Sequence, residues 1–74
     1  MDKQAFDALK AFVAWCEIQL HRNKHNLISQ KDFELFASRF KVEPGLMKQQ
    51  YEHLGVAEKC VYQKYLMDQN QQYE

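Results

Sequence analysis

The sequence predicts an all-α fold, a small bundle of about four helices in a single domain that spans residues 1–74. Apolar residues recur three or four positions apart along most of the chain, which is the periodicity of amphipathic helices. The chain has only two Gly and one Pro, so it offers few tight turns and favours long helices. Hydrophobic residues make up 46% of the sequence, which is enough for a core and argues against disorder.

The first helix is predicted from about Lys3 to His21. Its central stripe consists of apolar residues at helical spacing: Phe6, Leu9, Val13, Cys16 and Leu20. Phe12, Trp15 and Ile18 lie beside that stripe, so the helix is apolar over more than half of its circumference. Such a helix is either central in a bundle or uses its surplus apolar face for another contact. We therefore expect Phe12, Trp15 and Ile18 to form part of a dimer or partner interface.

The second helix is predicted to begin at Ser29, after a polar loop at residues 21–26. Ser29 and Asp32 have the spacing of a capping box, in which two side chains satisfy backbone N–H groups at a helix start. The helix is predicted to end near Phe40, because Pro44 disfavours helical geometry at the residue before it.

The third helix is predicted to begin at Pro44, since proline is well tolerated at a first helical position. Gly55 is predicted to close this helix in the left-handed conformation. The fourth helix is predicted from about Ala57 to Gln69, and residues 69–74 are expected to fray. Two surplus apolar residues of this helix are further candidates for the dimer or partner interface: Tyr62 and Met67.

The segment from Phe36 to Val56, FASRFKVEPGLMKQQYEHLGV, has the features of a helix-turn-helix. This motif needs two short helices joined by a turn of three or four residues. Ala37 is small enough to let the second helix approach, and Val42 is placed to fill the corner. The segment resembles the pattern lAxxfgVSxxxvxxxLxxLGl of small helix-turn-helix DNA-binding regulators of bacterial and phage type. The resemblance implies a helix-turn-helix over about residues 29–55.

The same resemblance implies a transcriptional regulator whose third helix enters the major groove of double-stranded DNA. Lysine suits guanine acceptors or phosphate, glutamine suits adenine, and glutamate can accept from cytosine. A homodimer is expected, because one helix-turn-helix rarely gives enough affinity alone. The residues expected to contact bases or phosphates are Gly45, Lys48, Gln49 and Glu52 on the third helix, Arg39 and Lys41 at the turn, and Arg22 and Lys24 after the first helix.

The charge balance favours a second hypothesis. The 10 Lys and Arg residues equal the 10 Asp and Glu residues, whereas DNA-binding modules are usually basic. Residues 21–53 carry six cations and four acids, a charge of +2, and each end of the chain carries −1. A non-enzymatic inhibitor or adaptor that binds a protein, for example one encoded by a phage, fits the neutral charge and the surplus aromatic residues.

The sequence contains no catalytic or cofactor-binding pattern. Gly-rich phosphate loops are absent, and no nucleophile and base stand at a recognisable spacing. We expect no enzymatic activity, no cofactor and no metal site. Cys16 and Cys60 lack CxxC spacing; a single disulfide between them and two buried free thiols are the alternatives, and we expect the free thiols. Without an apolar signal segment or an apolar run of about 20 residues, we expect a cytoplasmic protein with no membrane contact.

Overall fold

The computed structural model describes residues 2–22 and 28–72, with side chains described as far as Leu66. Within these residues the chain forms a bundle of four α-helices and contains no strand, which confirms the predicted all-α fold class. The elements in chain order are α1 (Lys3–Arg22), α2 (Gln30–Arg39), α3 (Pro44–Gln49), a 3-10 turn (Gln50–His53) and α4 (Val56–Gln72).

Helix α1 is the central helix, since it contacts α2, α3, the 3-10 turn and α4. The backbone N–H of Ala5 donates to Asp2 Oδ1 at 3.0 Å, which satisfies one of the unpaired donors at the start of α1. Because other elements pack on several of its sides, α1 needs an unusually wide apolar surface. Its buried residues are Ala5, Ala8, Leu9, Phe12, Val13 and Cys16.

Phe12 lies at the centre of the core, so the prediction that it belongs to an interface was wrong. Its side chain is 0% exposed. Its ring centroid is 5.1 Å from those of Phe33 and Tyr65 and 5.6 Å from that of Phe36, with the rings edge to face. Aromatic rings attract each other in this arrangement beyond the effect of burial alone. The surplus apolar surface of α1 therefore packs against α2 and α4 at this position.

Tyr62 is also a core residue, and its assignment to an interface was likewise wrong. It is 4% exposed, and its ring centroid is 5.1 Å from that of Tyr51 and 5.9 Å from that of Tyr65. Burial is the main reason that the pKa of the Tyr62 hydroxyl is raised, and Tyr51 and Cys16 contribute. Helix α4 thus turns Tyr62 and Tyr65 inward, whereas Val61 is only partly buried.

Helix α2 begins with the predicted capping box. The backbone N–H of Ser29 donates to Asp32 Oδ2 at 3.0 Å, and the Ser29 hydroxyl donates to the same oxygen at 3.3 Å. Ile28 before the cap and Phe33 in the first turn are both buried. The start of α2 is thus determined by residues close to it in the sequence.

Helix α2 ends in a Schellman motif. The backbone N–H of Lys41 donates to the Ser38 carbonyl at 3.0 Å, and that of Val42 donates to the Ala37 carbonyl at 2.9 Å. Lys41 has a φ of 57°, the left-handed conformation that glycine adopts most easily. Lys41 occupies the position at which the resembled regulators commonly have glycine.

We expect Lys41→Gly to raise the free energy of unfolding by about 1 kcal/mol. A residue with a Cβ is destabilised by roughly 1–2 kcal/mol in the left-handed conformation. The greater entropy of glycine in the unfolded chain cancels part of this gain. Glu34→Gly is the matched control. Glu34 is exposed in the interior of α2, and glycine there should lower the free energy of unfolding by about 1 kcal/mol. Urea denaturation measures both changes, and a destabilised Lys41→Gly variant would contradict the left-handed turn.

Helix α3 is shorter than predicted, because the 3-10 turn replaces the helical segment expected between Gln49 and Gly55. Gly55 does not have a positive φ, so the prediction that it closes a helix in the left-handed conformation was wrong. Its N–H donates to Glu58 Oε1 at 3.0 Å, and its carbonyl accepts from the Lys59 N–H at 2.9 Å. Gly55 therefore caps the start of α4 and does not end α3.

Helix α4 extends to Gln72, three residues beyond its predicted end, so the backbone is helical over most of the segment expected to fray. Residues 73 and 74 lie outside the described residues. No helix in the described part of the chain combines the length and the apolar character needed to cross a membrane.

Candidate nucleic-acid interface

The corner between α2 and α3 is held against the core and against α1. Val42 in the turn is partly buried against the core, and Met47 on α3 is 0% exposed. The side-chain Nε2 of Gln4 on α1 donates to the carbonyl of Phe40 at the end of α2. These contacts fix the end of α2 and the start of α3 beside the N-terminal part of α1.

Helix α3 begins at Pro44, as predicted, and Glu43 is its N-cap. The Glu43 side chain makes no capping hydrogen bond and is exposed. A carboxylate at this position stabilises the helix through its dipole, but it repels an approaching phosphate. The positive charge near the corner must therefore come from residues on either side of Glu43.

The predicted DNA-contacting residues are exposed wherever the structure describes them. Among the described residues, Lys10 pairs with Glu58 and His53 lies near Glu52, whereas no ion pair involves Arg39, Lys41 or Lys48. Lys24 lies outside the described residues. The exposed residues are Arg22, Arg39, Lys41, Gly45, Lys48, Gln49 and Glu52.

Gly45, Lys48 and Gln49 share one face of α3, because they are three and four residues apart. A Cβ at Gly45 would meet nothing within 4 Å, so a ligand can approach the backbone there. Glu52 lies beyond α3 in the 3-10 turn, and its Oε1 is 4.0 Å from Nε2 of His53. The described face thus combines one cation, one amide and an open backbone.

Arg22 is far from this corner. It ends α1, whereas Gln4, which touches the corner, lies in the first turn of α1. Arg22 follows Gln4 by 18 positions, which corresponds to about 27 Å at the rise of an α-helix. The corner therefore brings Arg39 and Lys41 together with α3, and it leaves Arg22 at the opposite end of α1.

Of the residues predicted to form a dimer or partner interface, only some lie at the surface. Ile18 is 51% exposed. Trp15 is partly buried, with its ring centroid 5.7 Å from that of Phe36 and 6.3 Å from that of Phe12. The side chain of Met67 lies outside the described residues. Ile18 is therefore the one member of the set that the described structure leaves largely exposed.

Gln50 is a buried polar residue at the point where α3 ends. It is 4% exposed, and its Nε2 donates to the Leu46 carbonyl at 3.1 Å. In an α-helix that carbonyl would accept the backbone N–H of Gln50, which here bonds to the Met47 carbonyl instead. The side chain replaces a helical hydrogen bond, and the 3-10 turn follows. Its Oε1 has no hydrogen-bond partner among the described residues.

The cysteines do not provide a nucleophile in the core. Burial, and to a smaller extent Asp32, raises the pKa of the Cys16 thiol to about 12, so Cys16 stays protonated and unreactive at neutral pH. Cys60 is exposed, so the prediction that both thiols are buried was wrong for Cys60; both are free. Across the described residues, no group of three or more His, Cys, Asp or Glu side chains is placed to hold a metal ion.

No family model matches the chain, and no curated protein or solved structure matches it either. The likeness to helix-turn-helix regulators stays a prediction that depends on residues 36–56.

Proposed function

We propose that the protein is a small DNA-binding transcriptional regulator that reads the major groove with α3. The supporting observation is the corner between α2 and α3. A Schellman motif ends α2 at Lys41, Val42 packs into the corner, and Pro44 begins α3 with Lys48 and Gln49 exposed. This arrangement supports a helix that packs on the bundle through Met47 and presents Lys48 and Gln49 to a ligand.

The chemistry of the exposed residues suits a duplex. The Gln49 amide can donate to and accept from adenine, and Lys48 can contact guanine acceptors or a phosphate. Arg39 and Lys41 are exposed cations at the turn, where they can contact phosphates and supply affinity without sequence information. The diameter of an α-helix, about 10–12 Å with its side chains, fits the major groove, which is about 12 Å wide.

Selection from a random duplex library, followed by fluorescence anisotropy on the selected sequence, tests this proposal. We expect the affinity to fall as the salt concentration rises. In a plot of the logarithm of the affinity against the logarithm of the salt concentration, the slope should be about −0.9 for each phosphate that the protein neutralises. The double variant Lys48→Ala and Gln49→Ala should lose about 1–3 kcal/mol of discrimination for each base contact removed.

Lys31→Ala is the matched control for this experiment. Lys31 is an exposed cation in the first turn of α2, at the opposite end of that helix from the corner, so its removal should leave sequence preference unchanged. A protein that shows no salt-sensitive DNA binding, or a double variant that keeps the wild-type sequence preference, contradicts the proposal.

A protein-binding inhibitor or adaptor without enzymatic activity is the second candidate function. Two observations favour it: the formal net charge is zero, and the apolar side chains of Ile18 and Leu35 are 51% and 49% exposed. If this candidate is correct, the library selection enriches no DNA sequence, and the fluorescence anisotropy shows no salt-dependent binding to DNA. The duplex selection therefore separates the two functions.

A further inference from the structure

Glu43 carries an acidic side chain that the fold hardly uses. It is the N-cap of α3, yet its carboxylate makes no capping hydrogen bond. The side chain is exposed, and the ion pairs of the described residues do not involve it. Its remaining contribution to the fold is the weak attraction between a carboxylate and the positive end of the helix dipole.

The position of Glu43 places this carboxylate beside the proposed DNA-contacting face. Glu43 lies two residues after Lys41 and directly before Pro44, where α3 begins. Lys41 before it, and Gly45 and Lys48 after it, are all exposed. When α3 enters a major groove, Glu43 comes against the same duplex as these residues.

A carboxylate that is brought against DNA needs a hydrogen-bond donor. Its removal from water costs free energy, and a phosphate close to it adds repulsion. In the major groove guanine presents two acceptors, thymine presents an acceptor and a methyl group, and adenine presents an acceptor beside its amino group. Cytosine alone presents an amino donor with no acceptor on the same base edge. Cytosine is therefore the base that best suits the carboxylate of Glu43.

The second carboxylate near this face has different surroundings. Glu52 lies in the 3-10 turn beyond α3, and its Oε1 is 4.0 Å from Nε2 of His53. A protonated histidine at this distance offsets part of the charge of the carboxylate. Glu43 has no such neighbour among the ion pairs of the described chain. Of the two acids, Glu43 is therefore the one whose full charge a bound duplex has to accommodate.

We propose that Glu43 is a specificity-determining residue, which accepts a hydrogen bond from the amino group of one cytosine in the bound duplex. This role rests on the proposed function and extends it, since it gives a base preference to a residue that supplies no affinity for phosphate. Glu43 selects chiefly by rejection, because guanine or thymine at this place puts an acceptor against the carboxylate. Lys48 and Gln49 select by attraction, so the face discriminates between duplexes in both ways.

Glu43→Gln tests this role in the random-duplex selection and in fluorescence anisotropy on the selected sequence. The amide of glutamine donates as well as accepts, so it tolerates an acceptor where a carboxylate does not. Each G·C pair of the selected sequence is replaced in turn. One replacement should weaken binding of the wild type about tenfold and binding of Glu43→Gln less than about threefold. Preference at the other positions should stay as in the wild type.

Two further variants are the controls. Glu17→Gln makes the same change of charge at an exposed position of α1 that follows Gln4 by 13 residues, about 20 Å from the corner, and should leave every base preference unchanged. Lys48→Ala should reduce preference at a different base pair and keep the one that depends on Glu43. Urea denaturation should show that Glu43→Gln retains the fold, because the wild-type side chain makes no capping hydrogen bond.

Three results would overturn the role of Glu43 and leave the regulator standing, since in each of them the wild type still selects a duplex. The selected sequence contains no G·C pair, or Glu43→Gln keeps every preference of the wild type. In the third, Glu43→Gln raises the affinity for all duplexes by one common factor, which means that the carboxylate faces phosphates and not a base. A wild-type protein that selects no duplex contradicts both the regulator and the role of Glu43.

Discussion

Phe12→Ala is expected to lower the free energy of unfolding by about 3–5 kcal/mol, because the substitution removes a buried ring and leaves a cavity. Phe12 is 0% exposed, and the ring centroids of Phe33, Phe36 and Tyr65 lie within 5.6 Å of its own. A domain of this size has a free energy of unfolding of about 5 kcal/mol. The variant should therefore retain little or no stability at room temperature. Urea denaturation followed by circular dichroism measures the change.

Ile18→Ala is the control, since the sequence predicts the same interface role for Ile18 and Phe12. Ile18 is 51% exposed, and its truncation should change the free energy of unfolding by less than about 0.5–1 kcal/mol. A loss of stability at Ile18 that equals the loss at Phe12 would mean that the two side chains are buried alike, which contradicts the structure.

Features that depend on neighbours in the sequence could be predicted. Ser29 and Asp32 are three positions apart, and their capping box needs only the first turn of α2. Pro44 begins α3 because its fixed φ suits a first helical position. The exposure of Lys48 and Gln49 followed from the helical periodicity of the segment after Pro44. The polar face of the candidate site was therefore accessible from the sequence.

The direction in which an apolar side chain packs could not be predicted in the same way. Periodicity identifies a buried face only when one side of a helix is covered, whereas α1 is contacted by several elements. Phe12 and Tyr62 looked surplus because each lies off the stripe that the spacing emphasised, yet both are core residues. Likewise, the distance between Arg22 and the corner depends on the length of α1 and on the contact of Gln4 with Phe40.

The ends of the helices near the corner were decided by side chains that the sequence pattern does not single out. Lys41 adopts the left-handed conformation without glycine, because two backbone hydrogen bonds close the motif and Val42 packs against the core. The glycine that the pattern assigned to this kind of role, Gly55, caps α4 instead. At the end of α3, the side chain of Gln50 donates to the Leu46 carbonyl, which a backbone N–H would occupy in a continuing helix.

Gln50→Glu is expected to destabilise the protein by about 3 kcal/mol at pH 7, because an ionised carboxylate would be buried there without a cation to pair with. Burial raises the pKa of such a carboxyl above its ordinary value. An ionised carboxylate cannot donate to the Leu46 carbonyl, which accepts the Gln50 amide in the wild type. Below about pH 4.3, the ordinary pKa of glutamate, the carboxyl is neutral in both folded and unfolded states and this penalty disappears. The penalty grows as the pH rises through the raised pKa of the folded state, and it is complete above that value.

Gln50→Met separates this charge effect from the loss of the amide. Methionine keeps the length of the side chain and carries neither the Nε2 donor nor the Oε1 that lacks a partner among the described residues. The Leu46 carbonyl then becomes available to the backbone N–H of residue 50, so we expect more α-helical circular dichroism and a change in stability within about 1 kcal/mol. The difference in stability between the two variants should be small at pH 4 and reach about 3 kcal/mol at pH 7, since only the glutamate titrates. Equal stability at both pH values would mean that residue 50 is exposed to water, and the end of α3 would then need another cause.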